Sequence, residues 1–400
     1  MKLLKLALEG IDLFEDKRFE IDLFASDRVV DREPVHELQK GLYTQNAIAI
    51  AGINATGKTT ALRIIQFAAR VLGGTGFIDF NAIAEIAHTD LTLKMIIWCD
   101  SELFCLVSEF EFLTADSDEW QSFSSRTKSA VFHEELLYRL DRPLINRKMI
   151  SSFDQFCAAS TLISKRSDLL AEGLSRYLPA DRSIITAYMD TRKLFWFLFG
   201  DISNPGSVNS AIIQVFDPRV DYIRDLDSRQ DLSDERKLLF RFKDEAENKT
   251  VTPDELLDLL SAGTIRGTGI IMRCIEAFRS GGYFILDEIE NHLNKQLVGV
   301  LISLFNSTET NPLGATLIFT THYPEVLDFL TRKDNVYFLV RNNMFKTNII
   351  RYSNEIKRVE NKKSEVFLSN YVKGTAPKYD EIKALQKAVK SVVMQDVDDV

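Results

Sequence analysis

The chain has 400 residues, 45% of them apolar and 27% charged, which suits one large domain with an insertion or two modest domains and excludes a chain that is disordered as a whole. Its formal net charge of −9 argues against a protein that coats DNA, so any nucleic-acid contact would need a local basic patch. The sequence has no run of about 18 apolar residues and no continuous apolar core of a signal peptide, so we expect a cytoplasmic protein that does not cross a membrane.

The first half of the chain predicts strands, one long helix and an insertion. Alternating patterns or short apolar runs predict strands at 2–8, 19–24, 47–51, 91–98 and 102–112. The polar stretch 26–45 predicts a loop or lid, and an apolar helix is predicted from Thr59 to Leu72, where a glycine cluster ends it. From 131 to 200 the spacing becomes helical with aromatic clusters, which predicts an inserted helical region.

The second half alternates strands and helices, as a parallel sheet requires. Residues 251–280 predict helix interrupted by a turn at Ser261, and the predicted strands are 283–287, 315–320, 335–341 and 345–352. The tail, 378–394, predicts a helix that packs on its own domain, with docking onto a partner as the alternative. Its apolar residues share one face: Ile382, Leu385, Val389 and Val392.

The cysteines form no CxxC pair and lie in or beside apolar stretches. This placement predicts small buried apolar side chains, with neither metal ligands nor disulfides required. The four are Cys99, Cys105, Cys157 and Cys274.

A glycine-bearing loop joins the strand at 47–51 to the long helix. Its sequence, Gly52-Ile53-Asn54-Ala55-Thr56-Gly57-Lys58-Thr59, matches GxxxxGK[ST], the pattern of a loop whose backbone N–H groups surround a phosphate. Lys58 is predicted to reach the β- and γ-phosphates and Thr59 to offer its hydroxyl to Mg²⁺, while the helix start adds its positive dipole end. We therefore predict an ATP site made by Gly52, Asn54, Ala55, Thr56, Gly57, Lys58, Thr59 and Thr60.

Two acids end the apolar run at 283–286. Asp287 and Glu288 would emerge at the carboxyl end of a buried strand, where ligands bind in open α/β sheets. Asp287 is predicted to hold Mg²⁺, and Glu288 to polarise the attacking water as general base. Many strands end in acids, so this pattern alone is weak evidence for a metal and general-base site. The phosphate-binding loop upstream makes that interpretation strong.

Two further elements flank the acids. Ser261, followed by Ala262, Gly263 and Thr264, opens a helix 26 residues before Asp287, and a Ser-x-Gly helix start can bind a phosphate through N–H groups and the hydroxyl. An ordinary N-cap is the alternative interpretation. His322 lies 35 residues after Asp287, behind an apolar strand, and is predicted to touch the γ-phosphate and sense its loss. A structural histidine is the alternative there.

These four elements, in this order, resemble the ABC ATPase superfamily over roughly residues 1–110 and 205–352. The resemblance implies an α/β fold: an ABC ATPase head with a mixed or parallel central sheet, an antiparallel β subdomain and an inserted helical region. It makes 261–264 the signature motif and 291–294 the loop that crosses a dimer interface. It also implies a head-to-tail homodimer, in which Lys58 of one copy and Ser261 of the other enclose one Mg-ATP.

The loop and signature variants look most like the OLD-family and abortive-infection ATPases of bacteria. That resemblance implies a slow ATPase that serves anti-phage defence as sensor or scaffold for a separate effector, such as a nuclease or toxin. Only 47 residues follow Ser353, too few for the Toprim nuclease domain of some relatives. Ala55 and Ala262 stand where many relatives have glycine, with little harm expected because both are small. No glutamine-loop residue could be assigned.

The expected segments are an ATPase lobe at 1–130, a helical insertion at 131–204, a second ATPase lobe at 205–353 and a helical extension at 354–400. The alternative function is a RecF- or SMC-like DNA-maintenance ATPase that binds DNA directly, and a metabolic NTPase such as a kinase is a third candidate. Net charge opposes DNA binding, although six basic residues could form a patch if they do not simply line a solvated helix face: Lys165, Arg166, Arg176, Arg182, Arg192 and Lys193.

Overall fold

The computed structural model describes residues 1–73, 83, 87–112, 130–171, 182–188, 196–198, 209–226, 237–291, 293–356, 361–375 and 379–398. Its strands are β1 Lys2–Ile11, β2 Arg18–Asp22, β3 Val35–Gln39, β4 Leu42–Gln45, β5 Ala47–Ala51, β6 Ala87–Cys99, β7 Glu102–Phe112, β8 Ala130–Leu140, β9 Ser160–Lys165, β10 Trp196–Leu198, β11 Val220–Asp225, β12 Leu238–Phe242, β13 Lys249–Val251, β14 Tyr283–Leu286, β15 Thr316–Thr321, β16 Val336–Arg341 and β17 Thr347–Arg351.

The described α-helices are α1 Lys58–Gly73, α2 Arg147–Ile150, α3 Phe153–Ala158, α4 Arg166–Ala171, α5 Ile185–Tyr188, α6 Ser210–Gln214, α7 Pro253–Leu259, α8 Ala262–Ser280, α9 Lys295–Asn306, α10 Tyr352–Glu355, α11 Lys363–Leu368 and α12 Tyr379–Asp398. Short 3₁₀ segments occur at Glu15–Lys17, Arg142–Leu144, Ile289–Asn291 and Pro324–Phe329. None of the helices within the described ranges is both long and apolar enough to span a bilayer.

The central sheet confirms the predicted α/β class. Its strand order is β10-β14-β15-β5-β16-β17, in which the first five strands are parallel and β17 returns antiparallel along β16. The carboxyl ends of β14, β15 and β5 therefore lie side by side. The acids, the histidine and the phosphate-binding loop emerge from these three neighbouring ends.

The two faces of β5 bury different side chains, which explains the layers around it. Ile48 and Ile50 pack with α1 and with the antiparallel sheet β2-β1-β6-β7-β8-β9 on one side. Ala47, Ala49 and Ala51 pack with α8 and α9 on the other. Small alanines allow helices to approach closely, and isoleucines fill the space beside α1. The helix behind the phosphate-binding loop is thus held between two sheets.

Two segments depart from the predicted loop and insertion. Within the stretch 26–45, β3 and β4 form a hairpin, so the loop prediction is wrong there. In the insertion, β8 and β9 extend the antiparallel sheet beyond β7, so the helical prediction is wrong for these strands. Short helices connect them, and α2 and α3 cover the second face of that sheet. Two of the aromatic residues in the predicted helical insertion, Phe195 and Phe199, lie outside the described residues.

A buried ion pair fixes this part of the chain. Arg166 is 1% exposed and its Nη1 donates to Glu135 Oε2 over 2.6 Å. Ser183 Oγ and Ile184 N also donate to Glu135. Because Arg166 is buried, it cannot belong to a surface patch for DNA. Of the other residues considered for that patch, Arg176, Arg192 and Lys193 lie outside the described part of the chain.

A small antiparallel sheet, β11-β12-β13, precedes α7 and α8 in the chain and was not predicted from the mixed, charged sequence there. Three of the cysteines are buried as predicted, while Cys157 is only half-buried.

The tail forms the predicted helix, α12, yet Ile382, Leu385 and Val389 are exposed by 45%, 64% and 54%. The prediction that this helix packs on its own domain is therefore wrong, and docking onto a partner stays a prediction.

Lys2 ties the start of β1 to the central sheet. It is 7% exposed, and its Nζ donates to the carbonyl oxygens of Gly281 and Gly314. Burial without a counter-charge lowers the pKa of Lys2 to about 7. The folded chain therefore binds fewer protons than the unfolded chain between about pH 7 and the ordinary lysine pKa, and stability should rise with pH in that window, by at most about 1.4 kcal/mol per pH unit.

We expect the variant Lys2→Met to lose this dependence. Urea unfolding of both proteins from about pH 7 to pH 10 measures it as the difference between their free energies of unfolding. The wild-type value should rise relative to the variant's. Parallel pH profiles would show that Lys2 titrates like an exposed lysine.

Candidate nucleotide-binding site

The phosphate-binding loop has the backbone shape that its sequence predicts. Gly57 has φ 90° and Ala55 φ 61°, both in the left-handed region. At Gly52 a Cβ would lie 2.7 Å from the carbonyl oxygen of Leu339, a contact that a side chain cannot make. The glycine preference at position 55 is thus conformational. Small size alone does not make alanine harmless there, because the left-handed backbone costs a non-glycine residue about 1–2 kcal/mol.

Lys58 lies at the start of α1 and is 5% exposed. Its Nζ donates to the carbonyl oxygens of Gly52 and Ile53 over 2.9 and 3.0 Å, and it lies 3.2 Å from His322 Nδ1. Burial lowers the pKa of Lys58, and three nearby carboxylates oppose that shift: Glu288, Asp287 and Glu290. A buried ammonium held by loop carbonyls is placed to meet an anion in the loop.

Thr59 and Asp287 present two oxygen donors side by side. Thr59 Oγ1 donates to Asp287 Oδ2 over 2.7 Å, and Thr320 Oγ1 donates to the other carboxylate oxygen. A hydroxyl next to a carboxylate fits Mg²⁺, which takes one or two protein ligands and completes its shell with water and phosphate oxygens. These donors are the residues that the sequence predicted for the metal. Among the described residues no cluster of three or more His, Cys, Asp or Glu side chains offers a site of another type.

Glu288 and His322 face each other across the carboxyl ends of β14 and β15. Glu288 Oε1 lies 3.1 Å from His322 Nε2, and Asn291 Nδ2 donates to Glu288 Oε2. The Glu288 side chain is 39% exposed, so water can reach it. Glu288 has φ 47°, a left-handed conformation that is rare for glutamate and concentrated at functional sites.

Lys58, Thr59, Glu288 and His322 share one cavity of about 700 Å³. The predicted residues Asp287, Gly52 and Thr56 do not line it. Asp287 accepts from Thr59, and Thr56 Oγ1 donates to the carbonyl oxygen of Ile53 over 2.9 Å. The cavity is lined by Asp12, Leu13, Asn54, Ala55, Gly57, Lys58, Thr59, Thr60, Glu288, His322 and Arg341. The structure therefore brings the predicted phosphate, metal and general-base residues together in a single chain.

The predicted signature residues lie elsewhere on the molecule. Ser261 is the N-cap of α8, and its Oγ accepts a hydrogen bond from Thr264 N over 3.1 Å. Residues 261–263 are exposed, Thr264 is buried, and none of the four lines the cavity around Lys58. The predicted interface loop, 291–294, begins beside Glu288 and ends at Asn294, the N-cap of α9. His292 of that loop lies outside the described residues.

Sequence reasoning missed several residues of the site. Asp12, Leu13 and Arg341 line the cavity, the Thr320 hydroxyl donates to the Asp287 carboxylate, and the Glu290 carboxylate accepts from the backbone N–H of His322. Thr320 could have been found, because it ends the strand that runs beside the acids. Asp12 and Leu13 could not, because their place at the cavity depends on how the antiparallel sheet packs over α1.

Comparison with known proteins places this site in a family. Residues 47–328 match the family described as "AAA domain, putative AbiEii toxin, Type IV TA system", more than half of the chain. The chain belongs to this family, and its central sheet and motif order define an ABC-like AAA ATPase domain.

Among solved structures, the SMC head domain from Thermotoga maritima matches the chain with 12% sequence identity and a TM-score of 0.38, covering 88% of this chain and 99% of that chain. No curated protein sequence matches the chain.

Proposed function

We propose that this chain binds and slowly hydrolyses ATP, and that two copies close head-to-tail around two ATP molecules. The closed dimer serves as sensor or scaffold for a separate effector, such as a nuclease or toxin, in bacterial defence against phage. One observation carries the proposal: a cavity gathers Lys58, Thr59, Glu288 and His322, while Ser261 is exposed and lies outside it. In the proposed dimer, Ser261 of the second copy contacts the triphosphate that Lys58 of the first copy binds.

In the proposed binding step, N–H groups of the loop and the α1 N-terminus surround the triphosphate. Lys58 exchanges part of its bonding to the loop carbonyls for phosphate oxygens. Thr59 and Asp287 would hold Mg²⁺, which when bound neutralises charge on the β- and γ-phosphates. The two proposed metal ligands already lie side by side, because Thr59 and Asp287 are in contact.

In the proposed hydrolytic step, Glu288 accepts a proton from the attacking water. The water oxygen bonds to the γ-phosphorus as the bond from that phosphorus to the β–γ bridging oxygen breaks, giving ADP and phosphate. His322, which contacts both Glu288 and Lys58, is placed to follow the γ-phosphate and respond to its loss. The Ser261 hydroxyl and the α8 N-terminus of the second copy would bind the triphosphate from the opposite side.

Two observations support the defence setting and the separate effector. The name of the matched family refers to the AbiEii toxin and to type IV toxin–antitoxin systems. The exposed apolar stripe of α12 offers a surface on which a partner protein could pack.

The test is the mass of the purified chain in solution with Mg²⁺, with and without ATP, together with phosphate release. We expect a monomer that becomes a dimer with ATP, and slow hydrolysis. A chain that neither binds ATP nor changes its mass would contradict the proposal. The product of the neighbouring gene, co-expressed and co-purified, tests the effector separately.

A further inference from the structure

Two hydrogen-bonded ties join the loops that carry Glu288 and His322. The Thr320 hydroxyl, at the end of β15, accepts from Glu288 N over 2.7 Å and donates to Asp287 Oδ1. In the opposite direction, Glu290 Oε1, which follows β14, accepts from His322 N over 2.5 Å. Thr320 of β15 thus holds the backbone after β14, and Glu290, which follows β14, holds the backbone after β15.

The tie at Thr320 acts on a strained residue. Glu288 has φ 47°, which an L side chain rarely adopts unless the surroundings enforce it. Thr320 is fully buried, so water does not compete with the Glu288 N–H for the Thr320 hydroxyl oxygen. Without that hydroxyl, the Glu288 peptide could relax toward an ordinary backbone conformation and turn its carboxylate away from His322.

The tie at Glu290 acts on the histidine. The second carboxylate oxygen of Glu290, Oε2, is buried and makes no hydrogen bond to the described residues. The Glu290 side chain therefore bonds to the His322 amide through Oε1 alone. The carboxylate also lies close enough to Lys58 to oppose the fall in the pKa of that lysine. Glu290 therefore bonds to the backbone of His322, and its negative charge acts on Lys58.

We infer that Thr320 and Glu290 are positioning residues, whose ties hold Glu288 and His322 in the relative placement that hydrolysis requires. The inference rests on the proposed function for its effect on catalysis, but the ties themselves can be tested without it. Thr320 and Glu290 act through the backbone amides of Glu288 and His322, and neither lines the cavity. Their loss should therefore lower kcat and leave the KM for ATP nearly unchanged.

The experiment compares paired variants of the full chain. Thr320→Val removes the hydroxyl and keeps the shape, whereas Thr320→Ser keeps the hydroxyl; Glu290→Ala removes the acceptor, whereas Glu290→Gln keeps one. We expect Thr320→Val and Glu290→Ala to lose at least about tenfold in kcat with KM within about threefold. The conservative partners should stay within about threefold of the wild type in both constants. Equal kcat in all five proteins would overturn the inference.

Hydrogen exchange separates this inference from the proposed function. Exchange at the Glu288 amide should speed up in Thr320→Val, and exchange at the His322 amide in Glu290→Ala, without ATP and at unchanged Tm. If the wild type does not hydrolyse ATP, the proposed function fails and the ties are judged by exchange alone. Unchanged exchange at both amides would reject them, whatever the activity.

Discussion

Replacement of Glu288 by Gln should lower ATP hydrolysis by at least about a hundredfold while ATP binding persists, because a general base contributes about that much. Glutamine keeps the shape and can still bond to His322 and Asn291, but it cannot accept a proton from water. The substituted chain should therefore accumulate as an ATP-bound dimer, since hydrolysis is the step that reopens it. Phosphate release and solution mass, measured on the same sample, follow both effects.

Lys58→Ala is the matched control for that experiment. It removes the buried ammonium, so it should lose ATP binding and dimerisation along with hydrolysis. Hydrolysis by Glu288→Gln at the wild-type rate would remove Glu288 from the role of general base. Loss of ATP binding in Glu288→Gln would assign it to binding instead.

Ser261→Asp should reduce hydrolysis and ATP-dependent dimerisation by at least about tenfold, whereas Ser261→Asn should reduce them far less. Both replacements are good N-caps, so each preserves the start of α8 that Ser261 now caps through Thr264 N. Only aspartate brings a negative charge to the surface proposed to face the triphosphate, and like charges at close range repel strongly outside bulk water.

The comparison of Asp with Asn isolates charge from helix stability. Thermal unfolding of both variants checks that α8 is intact, and phosphate release and solution mass report the effect. Activity of both variants at the wild-type level would show that no triphosphate approaches Ser261.

The central sheet and its motifs could be predicted because local sequence determines them. Apolar runs such as 283–286 mark strands buried on both faces, and the acids after them mark the edge where ligands bind. The loop pattern fixed the place of Lys58 in the same way. The distance from Thr59 to Asp287 is thus a direct consequence of the parallel order β14-β15-β5.

The insertion could not be predicted because its strands depend on distant partners. The sequence of β8 places two glutamates in its centre, which favours an exposed helix over a strand in a sheet. Glu135 can be buried there because distant donors, Arg166 and Ser183 among them, supply its hydrogen bonds. Such pairing lies beyond any local pattern. The apolar stripe of α12 likewise predicted packing on its own domain, which the exposure of Ile382, Leu385 and Val389 contradicts.

The conformation of Glu288 was equally hidden. A left-handed glutamate has no sequence signal, and it exists here because the Thr320 hydroxyl, 32 residues later, holds its amide. The sequence predicted Glu288 as general base, and the structure shows the contacts that orient its carboxylate.

Mixing Lys58→Ala with Ser261→Asp tests most directly whether each ATP lies between two copies. Each variant alone should keep at most about a tenth of the wild-type rate of hydrolysis. In a mixed dimer, one site combines the intact lysine of one copy with the intact serine of the other, so an equal mixture should recover about a quarter of the wild-type rate. No recovery on mixing, under conditions in which the copies exchange, would contradict the shared site.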